Sequence, residues 1–317
     1  MLRAYLVYNP AAGRYPSWIL IERAANVLRR RGWQVKIEKP KDKAELSEFA
    51  FRAAEDQVNV FFVVGGDGSI NCSLNGLIGS NTALGVLPAG TANVWAQELG
   101  LPGLTWTRLM ALEESARRLA DAEVREMDIG LCNHKPFLLW AGVGLDAFVV
   151  HHIEPRRRWE KNFAMVQYAT SAVWSASKWQ GMNLRVEIQD KKVTGHFLLA
   201  VVSNIHLYAG GLAELSPNAR LDDGIMELWL FEGKTLGDTV QRAWDLFAGR
   251  HMESGQVQKY EISHIQISSE SPMYLQMDGE PIRENGECLF EVKERSLKVL
   301  VPENVPRTLF KNTPPSS

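Results

Sequence analysis

The sequence predicts two fold classes in series: an amino-terminal, doubly wound α/β domain with a parallel sheet, then an all-β domain built as an antiparallel β-sandwich. Three observations predict it. Strand-like runs alternate with amphipathic helical stretches as far as Ala120, and from Val124 they give way to many short strand-like runs joined by turn signals. The chain has 317 residues, more than one core usually takes, and its hydrophobic content of 45% can fill two. The expected division is 1–123, 124–307 and a disordered tail at 308–317, with the last strand, 296–302, a candidate to return to the first domain.

Each element has its own signal. Arg3 to Tyr8 is a strand, and Ser17 to Arg31 has helical periodicity closed by Gly32. Gln34 to Glu38 is a second strand, Lys43 to Glu55 a second helix, and the apolar run from Val58 a third strand that drives into Gly65-Gly66-Asp67-Gly68-Ser69. A helix-compatible segment follows. Ala83 to Leu87 is a fourth strand, ending in Pro88-Ala89-Gly90-Thr91-Ala92-Asn93 before another helical segment. Thr105 to Ala120 is expected to be one helix, with Leu109, Leu112, Ala116 and Leu119 on a common face.

In the second half the strand candidates are Val124 to Leu131, Phe137 to Trp140, Asn183 to Gln189, Val193 to Ser203, Met226 to Phe231, Ile262 to Ile267, Tyr274 to Met277, Cys288 to Val292 and Leu297 to Val301. Asn133-His134-Lys135 and Asp190-Lys191-Lys192 suit hairpin turns. Helices are expected near Asn162 to Trp179 and over Leu236 to Ala248, the latter stopped by Gly249.

A net charge of −2 gives no global attraction to nucleic acid or to an anionic membrane, so nucleic acid is not an expected partner. The three cysteines, Cys72, Cys132 and Cys288, are far apart and form no C-x-x-C, which argues against structural zinc and a disulfide framework. The amino terminus lacks a secretory layout and no apolar run is long enough to cross a bilayer. A cytoplasmic protein is expected.

The most informative stretch is the strand-to-glycine turn at Gly65 to Asn71. Glycine has no Cβ and tolerates positive φ, so Gly65, Gly66 and Gly68 allow backbone N–H groups to face a phosphate, with the next helix adding its dipole. Glycines also punctuate ordinary strand-to-helix loops, and one such turn alone reads as such a loop. The second turn at Pro88 to Asn93 and the carboxylate of Asp67 weigh toward a nucleotide, because an acid beside a phosphate has reason to be there if it holds Mg²⁺, orders water or takes a proton. Neither a Walker loop nor G-x-G-x-x-G occurs.

These residues carry a resemblance. Gly65-Gly66-Asp67-Gly68-Ser69 with Asn71 resembles the GGDGT signature shared by diacylglycerol kinases, sphingosine kinases and NAD kinases. Asn9-Pro10-Ala11-Ala12-Gly13 resembles the NPxSG loop of the lipid-kinase branch, and Pro88 to Asn93 its PxGTAN loop. Asp222-Asp223-Gly224 and Met277-Asp278-Gly279-Glu280-Pro281 resemble its DDG and DGE motifs in the same order. Ser69 stands for the usual Thr and keeps the hydroxyl; Ala12 stands for a Ser and loses one contact.

The resemblance implies an NAD kinase/diacylglycerol kinase-like fold with the active site in the cleft between its domains. It also implies ATP and Mg²⁺ as cofactors, a diacylglycerol-like lipid as substrate, and an ATP-dependent lipid kinase whose alternatives are an NAD kinase-like enzyme and a non-catalytic nucleotide- or lipid-binding module. ATP would be held by Asn9, Pro10, Ala11, Ala12, Gly13, Gly65, Gly66, Asp67, Gly68, Ser69, Ile70, Asn71 and Thr91. Glu280 is implied as the proton acceptor with Asp278 beside it, and Asp67 as a rival base or a metal or positioning group; an isolated Asp-Gly would otherwise be a plain hairpin turn with a solvated acid. The Asp223 carboxylate with the Arg220 and Ile225 carbonyls is implied as a structural Mg²⁺ site, against a plain turn. Asp146 would bind the lipid head group, or else cap the following helix.

Ten tryptophans are many for this length. The cluster Trp159, Phe163, Tyr168, Trp174 and Trp179 after Arg156-Arg157-Arg158 suits a peripheral, reversible contact with a membrane surface, or equally a helix packed on the sandwich. The oligomeric state stays open between monomer and homodimer.

Overall fold

A computed structural model of the chain describes residues 1–8, 18–105, 107–152, 179–284, 286–303 and 305–311. In the first part the alternation is realised as β1 (Arg3–Tyr8), α1 (Trp18–Arg30), β2 (Gln34–Glu38), α2 (Lys43–Glu55), β3 (Val60–Gly65), α3 (Asp67–Leu77), β4 (Ala83–Pro88), α4 (Val94–Glu98) and α5 (Ala111–Ala120). The four strands pair only in parallel, in the order β4-β3-β1-β2. β3 and β4 are buried at every position, as strands covered by helices on both faces must be. Ile21, Ala24, Ala25 and Leu28 of α1 and Leu46, Ala50 and Ala53 of α2 supply that cover. α2 starts where Asp42 accepts the Glu45 amide and the Glu45 carboxylate takes the Lys41 amide.

The expected helix from Thr105 is shorter than the periodicity implied. Pro102 and Gly103 lead into an irregular stretch in which Thr105 and Arg108 form an isolated bridge, and helical bonding begins at Ala111. Leu109 consequently lies outside the helix and 46% exposed, whereas Leu112, Ala116 and Leu119 are buried as expected.

The second part contains β5 (Glu123–Cys132), β6 (Lys135–Phe137), β7 (Trp140–Gly144), α6 (Leu145–His152), β8 (Met182–Ile188), β9 (Lys191–Ser203), β10 (Leu207–Tyr208), β11 (Ala213–Glu214), β12 (Met226–Glu232), α7 (Leu236–Phe247), β13 (Val257–Ile262), β14 (His264–Ser268), β15 (Met273–Met277), β16 (Glu280–Glu284) and β17 (Glu287–Val301). Here the pairings are antiparallel: β16-β15-β7-β9-β8-β14 run side by side, β14 continues to the first part of β17, and β12 joins β9 to β13. Alternation along β8 sends Met182, Leu184, Val186 and Ile188 into a core shared with Phe197, Leu228, Ile265, Ile267, Leu275 and Phe290. Asn133 and His134, at φ 46° and 66°, form the turn that pairs Cys132 with Lys135. Thr235 caps α7 in a reciprocal box with Asp238, and Gly249 follows its end at φ 68°.

Three strand expectations change. Phe137 to Trp140 is not one strand but the join of β6 and β7. Ile262 to Ile267 divides at Ser263 into β13 and β14. Cys288 to Val292 and Leu297 to Val301 are halves of β17, which continues through Arg295 at φ 44°.

The chain separates into two compact units: Met1–Ile129, Leu221–Asp223 and Glu294–Ser317 form one, and Gly130–Arg220 with Gly224–Lys293 the other. In the first, Val299 of β17 pairs in parallel with Leu84 of β4. The expected tail is also different at its start. Leu309 and Phe310 are buried, the Leu221 amide donates to the Leu309 carbonyl, and the Lys311 amide donates to the Asp222 carboxylate, so apolar burial and two backbone bonds hold the chain as far as Lys311. The expected helix near Asn162 to Trp179 falls outside the described residues except for Trp179, which is buried and donates to the Leu198 carbonyl.

Candidate functional site

In the first unit, Gly65 pairs with Pro88, so β3 and β4 finish level and their two glycine turns leave the sheet side by side. The turns touch. A Cβ on Gly90 would lie 2.5 Å from the Gly66 Cα and 2.9 Å from the Gly66 nitrogen, closer than any side chain tolerates. Asn93 fixes the second turn: at φ 56° its Oδ1 accepts the Gly90 amide at 2.7 Å and its Nδ2 donates to the Gly90 carbonyl at 3.0 Å. α3 begins at Asp67, and the amides of Ser69 and Ile70 return to the Gly66 carbonyl. A helix leaves its first amides without intrahelical acceptors, so α3 aims its positive end out of the paired turns. This is a backbone surface suited to an anion.

Asp67 stands on that first turn, and its carboxylate accepts the Val94 amide at 3.0 Å and the Trp95 amide at 3.1 Å. Asp67 therefore ties α3 to the start of α4. Burial raises its pKa, and the amides of Val94 and Trp95 pull in the opposite direction. Ser69 is buried, Ile70 is buried behind it, Gly68 and Asn71 are half-buried, and Thr91 is exposed between Gly90 and α4. Asn9, Pro10, Ala11, Ala12 and Gly13 lie outside the described residues.

In the second unit, Asp278 and Gly279, at φ 49° and 79°, make the two-residue turn between β15 and β16 with Met277 paired to Glu280. The hairpin is there, but its acid is not solvated. The Asp278 carboxylate accepts the amides of Leu138 and Leu139 at 2.8 Å and of Trp140 at 3.3 Å, and its own amide donates to the Trp140 carbonyl. Asn204 covers the other side: its Nδ2 donates to the Leu138 carbonyl and its amide to that of Leu139. These bonds replace ladder partners across Leu138 and Leu139, which is why the chain breaks there between β6 and β7. Glu280 opens β16 half-buried.

Asp146 lies in the first turn of α6, directly over β7. A Cβ on Gly142 would sit 1.9 Å from its Oδ2, so that strand position has to be glycine. The same Oδ2 accepts from Gln276 Nε2 at 2.9 Å and from the Tyr208 hydroxyl at 3.2 Å, while Oδ1 takes the Ala147 amide. An edge of Asp146 reaches the surface, yet the protein around it pushes its pKa up to about 6 by burial, against the opposing pull of Gln276 and Ala147. Gln276 and Tyr208 carry no motif. A polar Gln in the apolar strand Met273–Met277 was the one available signal for the former.

The Asp222-Asp223-Gly224 turn has Gly224 at φ 78°. Asp222 accepts the Lys311 amide through its side chain and the Arg295 guanidinium through its carbonyl, and Asp223 beside it is half-buried. Asp223 with the main-chain carbonyls of Arg220 and Ile225 would be an all-oxygen donor set, the chemistry of a hard cation. No cluster of three or more His, Cys, Asp or Glu side chains fit to hold a metal occurs among the described residues.

Two family models match the chain. The model described as "Diacylglycerol kinase catalytic domain" matches residues 3–132, and that described as "YegS C-terminal NAD kinase beta sandwich-like domain" matches residues 140–301. A diacylglycerol kinase of Bacillus subtilis (strain 168) is 25% identical over 289 residues, covering 88% of this chain and 90% of that protein. One from Staphylococcus epidermidis (strain ATCC 35984) is 26% identical over 280 residues, covering 88% and 85%. Among solved structures, a diacylglycerol kinase from Bacillus anthracis str. Sterne aligns with TM-score 0.73 over 96% of this chain and 98% of its own, at 19% identity, a likeness of fold.

Proposed function

Because the chain belongs to the family that joins a diacylglycerol kinase catalytic domain to a YegS C-terminal β-sandwich-like domain, we propose that it is an ATP- and Mg²⁺-dependent lipid kinase. It transfers the γ-phosphoryl group to a hydroxyl of a diacylglycerol-like lipid. The observation that carries this is the contact of the two glycine turns, whose backbones meet where no Cβ would fit, beside the positive end of α3.

Phosphoryl transfer asks little covalent chemistry of a protein; it needs phosphates held in line, their charge absorbed, and the alcohol proton received. In this proposal the amides and small side chains of Gly65, Gly66, Gly68, Ser69, Ile70, Asn71 and Thr91, with Asn9 to Gly13, hold the triphosphate. Asp67 fixes the turn by binding α4 and faces the nucleotide from its base. Asp223 and the Arg220 and Ile225 carbonyls would hold Mg²⁺, and Mg²⁺ with the nucleotide would neutralise phosphate charge. Asp146 holds the acceptor head group. Glu280 takes the proton of the attacking hydroxyl as the oxygen–phosphorus bond forms and ADP leaves. Asp278 acts through position, by anchoring the turn that carries Glu280 to Leu138–Trp140. The lipid acceptor lies at a membrane surface, which the protein would meet reversibly through the segment from Arg156 to Trp174, Trp179 being buried in the sandwich instead; no helix among the described residues is long and apolar enough to cross a membrane.

The test is γ-labelled ATP with Mg²⁺ and a total lipid extract. A labelled phospholipid is expected from the unaltered protein, and a loss on the order of 100-fold or more from Glu280→Ala and from Asp67→Ala, the scale for removing a general base or a metal-linked group. Label in NADP when NAD is supplied would replace the proposal with an NAD kinase. ATP binding without any labelled lipid would leave a nucleotide-binding module.

A further inference from the structure

β15 alternates, so Met273, Leu275 and Met277 enter the sandwich core and Gln276 points to the opposite face. Gln276 is nonetheless only 1% exposed. A buried amide is costly unless its donor and acceptor are both used, and here both are. Its Nε2 donates to Asp146 Oδ2 at 2.9 Å, and its Oε1 accepts the Gly279 amide at 2.8 Å. Its strand partners are Gly142, which lacks the Cβ that would collide with Asp146, and Pro281, which follows Glu280. One side chain thus spans from the carboxylate on α6 to the backbone of the turn between β15 and β16.

We propose that Gln276 is a positioning residue that locks the Asp278–Glu280 turn to Asp146, so that the group holding the acceptor alcohol and the group receiving its proton keep one mutual geometry. This rests on the lipid-kinase proposal above. The polarity of the amide matters as well as its shape, because Nε2–H must face the carboxylate and the carbonyl must face Gly279.

Gln276→Glu separates these roles. It keeps an oxygen for Gly279 and the size of the side chain, but sets a second carboxylate against Asp146, and two acids at that separation share a proton. The other titratable groups facing this spot are Tyr208 of β10, Tyr274 on the same face of β15, and His151 of α6, whose Nε2 contacts the Leu275 carbonyl at 3.0 Å; Asp278 and Glu280 flank Gly279 in the turn, Glu280 paired with Met277 and the Asp278 carboxylate turned to Leu138–Trp140. The expected result is an acidic limb of lipid kcat/KM moved upward by at least one pH unit, with KM for ATP within twofold of the parent. Gln276→Met, similar in volume and uncharged, removes both bonds; kcat for lipid should fall about tenfold or more, again with KM for ATP unchanged. A Gln276→Glu profile that superimposes on the parent's overturns the proposal. Should that variant not fold, parental lipid kinetics in Gln276→Met overturn it instead, and failure of both to fold assigns Gln276 to stability alone. An unaltered protein that phosphorylates no lipid defeats the kinase proposal first, and this inference with it.

Discussion

Asp146→Asn should make the protein more stable at neutral pH and less active. The carboxyl sits among Gln276, Tyr208 and the Ala147 amide, with its pKa pushed up to about 6 by burial. For an acid, a folded-state pKa above the unfolded one means that the folded chain holds the proton more tightly. Stability from this group is therefore fully present below the ordinary carboxyl pKa of about 4 and is lost as pH rises through about 6. A shift of roughly two units, at about 1.4 kcal/mol each, puts the cost of the charge near 3 kcal/mol, and the exposed edge of Asp146 trims this to about 2 kcal/mol. Asparagine carries no such charge. It also loses one acceptor oxygen, which costs about 1 kcal/mol at every pH. Urea unfolding of the parent and the Asp146→Asn variant between pH 4.5 and 8 should give a stability difference that moves in the variant's favour as the pH rises, by about 1 kcal/mol or somewhat more across the series, since about a third of the change falls below pH 4.5. The lipid KM should rise about tenfold with KM for ATP unchanged. A stability difference that stays flat over that pH range would refute the claim that Asp146 is an acid held against its burial.

Two further substitutions test other parts of the structure. Gly90→Ala places a methyl 2.5 Å from the Gly66 Cα, so the turns must part; a stability loss of about 1–3 kcal/mol is expected, with ATP affinity reduced at least tenfold in a titration, and unchanged affinity would mean that the contact is not needed. Leu309→Ala removes a fully buried side chain and should cost about 2–5 kcal/mol in denaturant unfolding, whereas no loss would return residues from Thr308 to a free tail.

Much of the first unit was legible because its signals are local. β1, β2 and α2 have the bounds that alternation and caps give, and the turn at Gly65 to Asn71 follows its strand as the glycines imply. What was not legible depends on partners distant in sequence. Phe137 to Trp140 looks like a strand, and its break is set by Asp278 and Asn204, far along the chain. The apolar face from Leu109 to Leu119 was real only from Leu112, because the preceding residues form an irregular stretch bridged between Thr105 and Arg108. The tail after Thr308 has little apolar content, yet Leu309 and Phe310 find a buried place beside Leu221 and Asp222. At the candidate site the acids were visible as motifs, but the job of Asp278 as an acceptor of three backbone amides was not, since an Asp-Gly turn with a solvated acid has the same two letters. Gln276 and Tyr208 were hidden for the same reason: what marks them is the carboxylate they share.

The lipid-kinase proposal requires the paired glycine turns of the first unit to hold the triphosphate. Hydrogen exchange of the backbone amides, followed with and without a non-hydrolysable ATP analogue and Mg²⁺, tests it most directly. Slower exchange is expected in peptides spanning Gly65 to Asn71 and Ala89 to Asn93. Saturating nucleotide that leaves both stretches exchanging at their original rates, and protects another part of the chain, would contradict it.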